Sequence, residues 1–140
     1  MTAQGEDILA YLDSAITARE EAAYAAPRSP WSVRVDDDEI VAPDGITVAE
    51  AFALSGQQTR AILDLIALHQ PASVLRRCAA DRKLIDLHRP QVTGAGFPDI
   101  QECRTCSADS LGDGYQYLVP APCPTLLALA EGHGWTEGER

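Results

Sequence analysis

Leu87-His88-Arg89-Pro90, then Cys103-Arg104-Thr105-Cys106, then Pro122-Cys123-Pro124-Thr125: these three pieces of one stretch decide how the chain folds. Two cysteines separated by two residues turn both sulfurs toward one point when a tight turn joins them. Cys123 stands between two prolines where a helix is predicted to begin, and the free amides of a helix start favour a thiolate. Arg89-Pro90 forbids a preceding helix from continuing, which leaves His88 at its end. Three sulfurs and one imidazole are the donor set of a closed, tetrahedral zinc site. The spacing therefore predicts a structural Zn2+ held by His88, Cys103, Cys106 and Cys123. Cys78 and His133 are alternative fourth ligands, and iron would accept the same donors. A redox dithiol at Cys103 and Cys106 needs a strand before the pair and a helix after it; here Ser107 to Gly114 is glycine-rich turn chemistry. The deaminase pattern of His-x-Glu before Pro-Cys-x-x-Cys is not met either.

Working outward, the fold class expected is α+β: three to four helices, a small antiparallel β-meander and a C-terminal zinc-knuckle, ribbon-like clasp. At 140 residues the chain is one domain's worth. Ile8, Leu9, Leu12 and Ile16 recur at helical spacing, so 1–27 is read as an N-terminal helix that Pro27 stops. Residues 31–48 alternate. Trp31, Val33 and Val35 share one side, Asp36-Asp37-Asp38 breaks the run, and Pro43-Asp44-Gly45 makes a turn before a short strand at Ile46-Thr47-Val48. The acidic triplet lacks the ligand spacing of a calcium loop and reads as a solvated hairpin tip.

Residues 57–88 are read as a helical pair. Ser55 and Gly56 break or cap the chain ahead of it, Ile62, Leu65, Ile66 and His69 form the first helix's apolar stripe with Ala61 and Leu68 widening it, and Pro71 opens the second helix. His69 falls at a helix C-terminus, where an imidazole suits the dipole. Cys78 lies mid-helix among apolar neighbours and reads as core. Residues 88–131 are the metal-clasp region: a loop from Gln91 to Ile100, the knuckle, a last strand at Tyr115 to Val119, and a closing helix from Pro124 to about Glu131. The tail, 133–140, reads as frayed.

A formal charge of -10 has the wrong sign for neutralising phosphates, so nucleic acid is not the expected main partner. Arg76, Arg77, Arg82 and Lys83, with His69, form the candidate interaction surface. No apolar run approaches the ~18 residues of a membrane span, and the acidic N-terminus lacks the basic and apolar regions of a secretory signal, so the expected location is cytoplasmic.

In order along the chain, His69-Gln70-Pro71-Ala72-Ser73-Val74-Leu75-Arg76-Arg77, Leu84-Ile85-Asp86-Leu87-His88, Cys103-x-x-Cys106 and Pro122-Cys123-Pro124-Thr125-Leu126 resemble DUF6221. This is a family of small proteins from actinobacteria and their bacteriophages with no assigned activity. The likeness extends to the N-terminal helix and Pro30-Trp31. It departs at Gln70, where the family favours aspartate, and at Glu131 to Trp135, where it has a longer apolar ending. The resemblance implies an accessory protein of phage or prophage type and brings no catalytic residues. The expectation is a zinc-stabilised protein–protein interaction module whose partner is a host or phage protein. A nucleic-acid-associated zinc knuckle and a small enzyme with a pocket near His69 and Asp81 are the competing readings.

Overall fold

The computed structural model describes residues 3–92, 101–109 and 116–136. Among them the α+β expectation is met, with four helices and three small antiparallel sheets. The chain forms two compact units, Ala18–Cys78 and Met1–Thr17 with Ala79–Arg140.

In the Ala18–Cys78 unit, β1 (Ser32–Arg34), β2 (Glu39–Val41) and β3 (Thr47–Glu50) make an antiparallel meander in that order. Arg34 pairs with Glu39 across the first hairpin, so Val35 belongs to the four-residue turn and is exposed instead of continuing the strand. Asp38 closes that turn in the left-handed region (φ 50°), a conformation that aspartate tolerates better than branched residues. Glu39 accepts from Arg34 Nη1 at 3.1 Å and from Thr47 Oγ1 at 3.0 Å, tying the three strands together on their polar side. In the second turn Gly45 N–H donates to the Ala42 carbonyl at 2.9 Å. Gly45 itself takes φ 83°, open to glycine and costly to a side chain.

The apolar side of this sheet is a hydrocarbon core. Ile40, Ala51 and Leu63 are buried, with Trp31, Val33, Val48, Ile66 and Ala67 packed around them. Trp31 precedes β1, and its indole N–H donates to the Pro27 carbonyl at 2.9 Å. Helix α2 (Gly56–Leu68) is capped by Ser55, whose Oγ accepts the Gln58 amide at 3.2 Å. Its inner face differs from the stripe read off the sequence. Thr59 and Leu63 are buried and Ile66 and Ala67 half-buried, whereas Ile62, Leu65 and Leu68 face outward. The helix is apolar on both sides, so periodicity identified the helix but not its buried face. Helix α3 (Pro71–Leu87) starts at Pro71 as expected, and its Ala72 amide is satisfied by Ser29 Oγ at 3.0 Å.

In the other unit, Ile8 and Leu12 of α1 (Ala3–Ala25) and Leu126, Leu129 and Ala130 of α4 (Pro124–Gly132) are buried together with Cys103 and Cys123. The N-terminal helix thus packs its apolar stripe on α4. The Gln91 to Ile100 loop reading needs correction: β4 (Pro90–Val92) pairs with β5 (Gln101–Cys103), while residues 93–100 lie outside the described set. Proline is tolerated there because it is the first residue of its strand. Of the turn and last strand expected beyond the knuckle, the described parts are β6 (Ala108–Asp109) paired with β7 (Gln116–Tyr117); residues 110–115 lie outside.

The start of the tail is also corrected. Tyr11 donates its hydroxyl to the His133 carbonyl at 2.8 Å, and its ring meets Trp135 edge-on at 5.1 Å. Gly134 takes φ 98° between them, where a Cβ would come within 3.3 Å of Tyr11 Oη. An aromatic contact and a partly buried hydrogen bond hold what composition alone made look frayed; residues 137–140 are outside the described set.

Candidate metal centre

Short-range pairing builds the centre. His88 closes the last turn of α3, its amide donating to the Leu84 carbonyl at 3.0 Å. Two residues later β4 begins, and the register sets Pro90 opposite Cys103. The same approach continues past the strands: the Arg104 amide donates to the Arg89 carbonyl at 3.3 Å, and the Thr105 hydroxyl donates to the Leu87 carbonyl. His88 is thereby folded onto the Cys103-Arg104-Thr105-Cys106 turn.

The other edge of β5 brings the last ligand. Cys103 N–H donates to the Val119 carbonyl at 2.8 Å and Ala121 N–H to the Gln101 carbonyl at 3.0 Å, with Glu102 bridging Pro120. This pairing delivers the chain through Pro122 to Cys123, the N-cap of α4, with Pro124 at the first helical position. The Cys123 side chain makes no capping bond to its own helix, and its sulfur lies with the other ligands.

The four side chains converge. His88 Nδ1 lies 3.4 Å from Cys103 Sγ, 3.4 Å from Cys106 Sγ and 3.5 Å from Cys123 Sγ, and all four donor atoms fall within 4.8 Å of one another. Zn–S near 2.3 Å and Zn–N near 2.0–2.1 Å at a tetrahedral angle place sulfur and nitrogen about 3.5 Å apart. The three sulfurs thus stand where one ion would hold them around the ring nitrogen. His88, Cys103 and Cys123 are buried and Cys106 is half-buried.

Charge explains why the cluster favours a cation. Burial pushes the Cys103 thiol up, but the Cys106 amide outweighs it together with His88, the Thr105 amide and the Cys106 thiol, bringing it down to about 7. At Cys106 burial is joined by the neighbouring sulfurs of Cys103 and Cys123, and the thiol is pushed up to about 11. Three sulfurs this close cannot all carry charge comfortably without a positive ion among them.

Of the alternative fourth ligands, Cys78 is buried and outside the cluster. His133 is engaged elsewhere: its Nε2 lies 2.9 Å from Asp81 Oδ2, with the two side chains only 7% and 1% exposed. That pair was not legible in the sequence, because 52 residues separate its members and neither sits in a motif. Of the residues named in the enzyme reading, Asp81 pairs with His133 and His69 is the exposed C-cap of α2.

In the remaining candidate surface, Arg82 binds Asp13 at 2.9 Å and Thr17 at 3.1 Å, and Arg76 reaches Ser73 at 3.2 Å. Arg77 and Lys83 are exposed. A cleft of about 460 Å³ lies beside Leu9, Asp13, Arg82, Ile85, Asp86 and Arg89. Its two arginines are matched by Asp13 and Asp86.

The fold and the cluster define a small α+β protein with a Cys3His group that can hold a metal ion. The chain belongs to the family of unknown function DUF6221, whose model matches residues 5–133. No curated protein and no solved structure matches it. Among the described residues, no helix is long and apolar enough to cross a membrane.

Proposed function

We propose that this chain is a zinc-stabilised accessory protein that works by binding another protein, with the metal serving structure and not chemistry. The observation that carries the reading is the equidistance of three sulfurs from His88 Nδ1, at the separation a tetrahedral zinc imposes. Four protein donors fill such a coordination sphere and leave no position for water or substrate. The resemblance in sequence adds a setting of phage or prophage type, with a host or phage protein as partner.

The test is metal analysis of purified protein, followed by replacement with Co2+. One equivalent of zinc per chain and the absorption of a tetrahedral three-sulfur, one-nitrogen cobalt site are expected. His88→Ala, Cys103→Ser, Cys106→Ser and Cys123→Ser should each lower the stoichiometry, while Cys78→Ser leaves it at one. Iron in place of zinc, or full occupancy after loss of any of the four ligands, defeats the assignment.

A further inference from the structure

The four side chains of the metal centre are not equally shielded. His88, Cys103 and Cys123 are buried, whereas Cys106 is half-buried and directly follows the exposed pair Arg104-Thr105. Its sulfur has those of Cys103 and Cys123 within 4.8 Å. Around a bound metal all three sulfurs are thiolates. A solvent-accessible thiolate with a second one beside it is the arrangement in which oxidation proceeds to a disulfide. Cys78 is buried and outside the cluster, so it meets neither condition.

We infer that the Cys3His cluster is a peroxide-responsive switch, in which oxidation joins Cys103 to Cys106 and sets the metal free. The inference rests on the zinc reading above; the metal stays structural and the chemistry belongs to the sulfurs. The Cys106 thiolate attacks hydrogen peroxide and the O–O bond breaks, one oxygen staying on sulfur as a sulfenic acid and the other leaving as hydroxide. The Cys103 thiolate then attacks that sulfur, forms the disulfide and expels a second hydroxide. Two electrons pass from the two sulfurs to peroxide, and two protons from solvent turn both hydroxides into water. Cys103 is the partner because only Arg104 and Thr105 separate it from Cys106, so an exposed turn alone has to tighten. Cys123 is held between Pro122 and Pro124 at the head of α4, and closing on it would move a helix. The disulfide leaves His88 and Cys123, two donors where a structural zinc takes four. Cys103 also ends β5 and shares a core with Ile8, Cys123 and Leu126, so loss of the ion reaches the packing of α1 and α4.

The full chain, purified with zinc under reducing conditions, is titrated with hydrogen peroxide while a colorimetric chelator reads free zinc against an untreated control. Mass spectrometry locates the bond after digestion with trypsin, which cuts after Arg104, and chymotrypsin, which cuts after Tyr117 and so parts Cys106 from Cys123. One zinc released for every two thiols lost is expected, with Cys103 and Cys106 in one disulfide and Cys78 still reduced. A phosphine reductant with added zinc should restore the bound metal, and Cys78→Ser should release zinc at the wild-type rate. Zinc that stays bound under peroxide, a disulfide to Cys123, or sulfinic acid that the reductant does not reverse overturns the inference and leaves the metal reading standing. A chain that holds no zinc before peroxide is added fails at the metal reading and overturns both.

Discussion

Residues 18–78 and residues 79–140 reach a buried centre by different means. The first stretch uses hydrocarbon: Ile40, Ala51 and Leu63 beneath a three-stranded meander, ringed by Trp31, Val33, Val48, Ile66 and Ala67. The second, packed on the N-terminal helix, also has short strands, of two or three residues, and its core adds the buried cysteines 103 and 123 to the hydrocarbon of Ile8, Leu12, Leu126, Leu129 and Ala130. Small cores ordinarily gain from a staple, and the four donor atoms gathered in the second stretch offer one. The contrast separates a centre made of hydrocarbon alone from one whose cohesion depends also on what the sulfurs hold.

The largest effect should come from removing the ion. Binding free energies of structural zinc are on the order of 10 kcal/mol and are folding free energies, so chelation should abolish order in β4, β5 and the start of α4. Hydrogen exchange read by mass spectrometry should show these segments losing amide protection while β1 to β3 and α2 retain theirs. Equal loss in both stretches would erase the distinction. The mirror experiment is Leu63→Ala. Leu63 is fully buried in the hydrocarbon centre, and truncating such a leucine costs about 2–5 kcal/mol. Thermal unfolding should report that loss with the zinc stoichiometry still at one; a fall in metal content would show that the two centres are not separable.

Acidity sharpens the same contrast by a smaller amount. The Cys106 thiol, pushed up to about 11, still carries its proton at neutral pH, and Cys103, lowered to about 7, regains one below that. Metal uptake displaces these protons, so the loaded state binds fewer of them and apparent affinity must rise with pH. Each displaced proton is worth about tenfold per pH unit, or ~1.4 kcal/mol. Cys106 contributes one proton to the slope from pH 7 up to about 11, and Cys103 adds a second below about 7. Chelator competition should give an affinity that climbs with pH, more steeply under pH 7 than over it. A flat profile between about pH 6 and pH 8 would mean that the sulfurs do not bind as thiolates.

What the sequence disclosed follows from how local the physics is. The four ligands were readable because each stands beside a chain-breaking signal: Pro90 after His88, the two-residue spacing of Cys103 and Cys106, and the prolines around Cys123. The helices were readable from periodicity and from Pro27 and Pro71, although their described ends reach beyond the expected bounds in places. Long-range pairing was not. Nothing local to Gln91 announces that it faces Glu102, and the three residues of β4 are too few to show alternation. The buried Asp81 and His133 pair joins a helix to the residue ending another, and Trp135 finds Tyr11 across most of the chain. The buried face of α2 escaped for a further reason, since a helix apolar on both sides gives periodicity no way to choose.

The finest test compares two helix starts, one in each stretch. Ser55 caps α2 in the ordinary way, extended at φ -139° and ψ 154°, with its Oγ accepting the Gln58 amide. Ser55→Ala removes that acceptor but keeps the Ser55 carbonyl, which still accepts from the Thr59 amide and hydroxyl; the cost should be about 1 kcal/mol. Cys123 occupies the corresponding position of α4 and gives its helix no side-chain bond. By capping preference alone Cys123→Ser should therefore gain stability of about the size that Ser55→Ala loses. The metal reading demands the opposite sign, because a hydroxyl is a poor substitute for a thiolate on zinc, and the lost ligand outweighs any cap. Denaturant titrations of the two variants side by side measure this difference in sign. A Cys123→Ser chain as stable as the wild type would show that the sulfur at the head of α4 is only filling space.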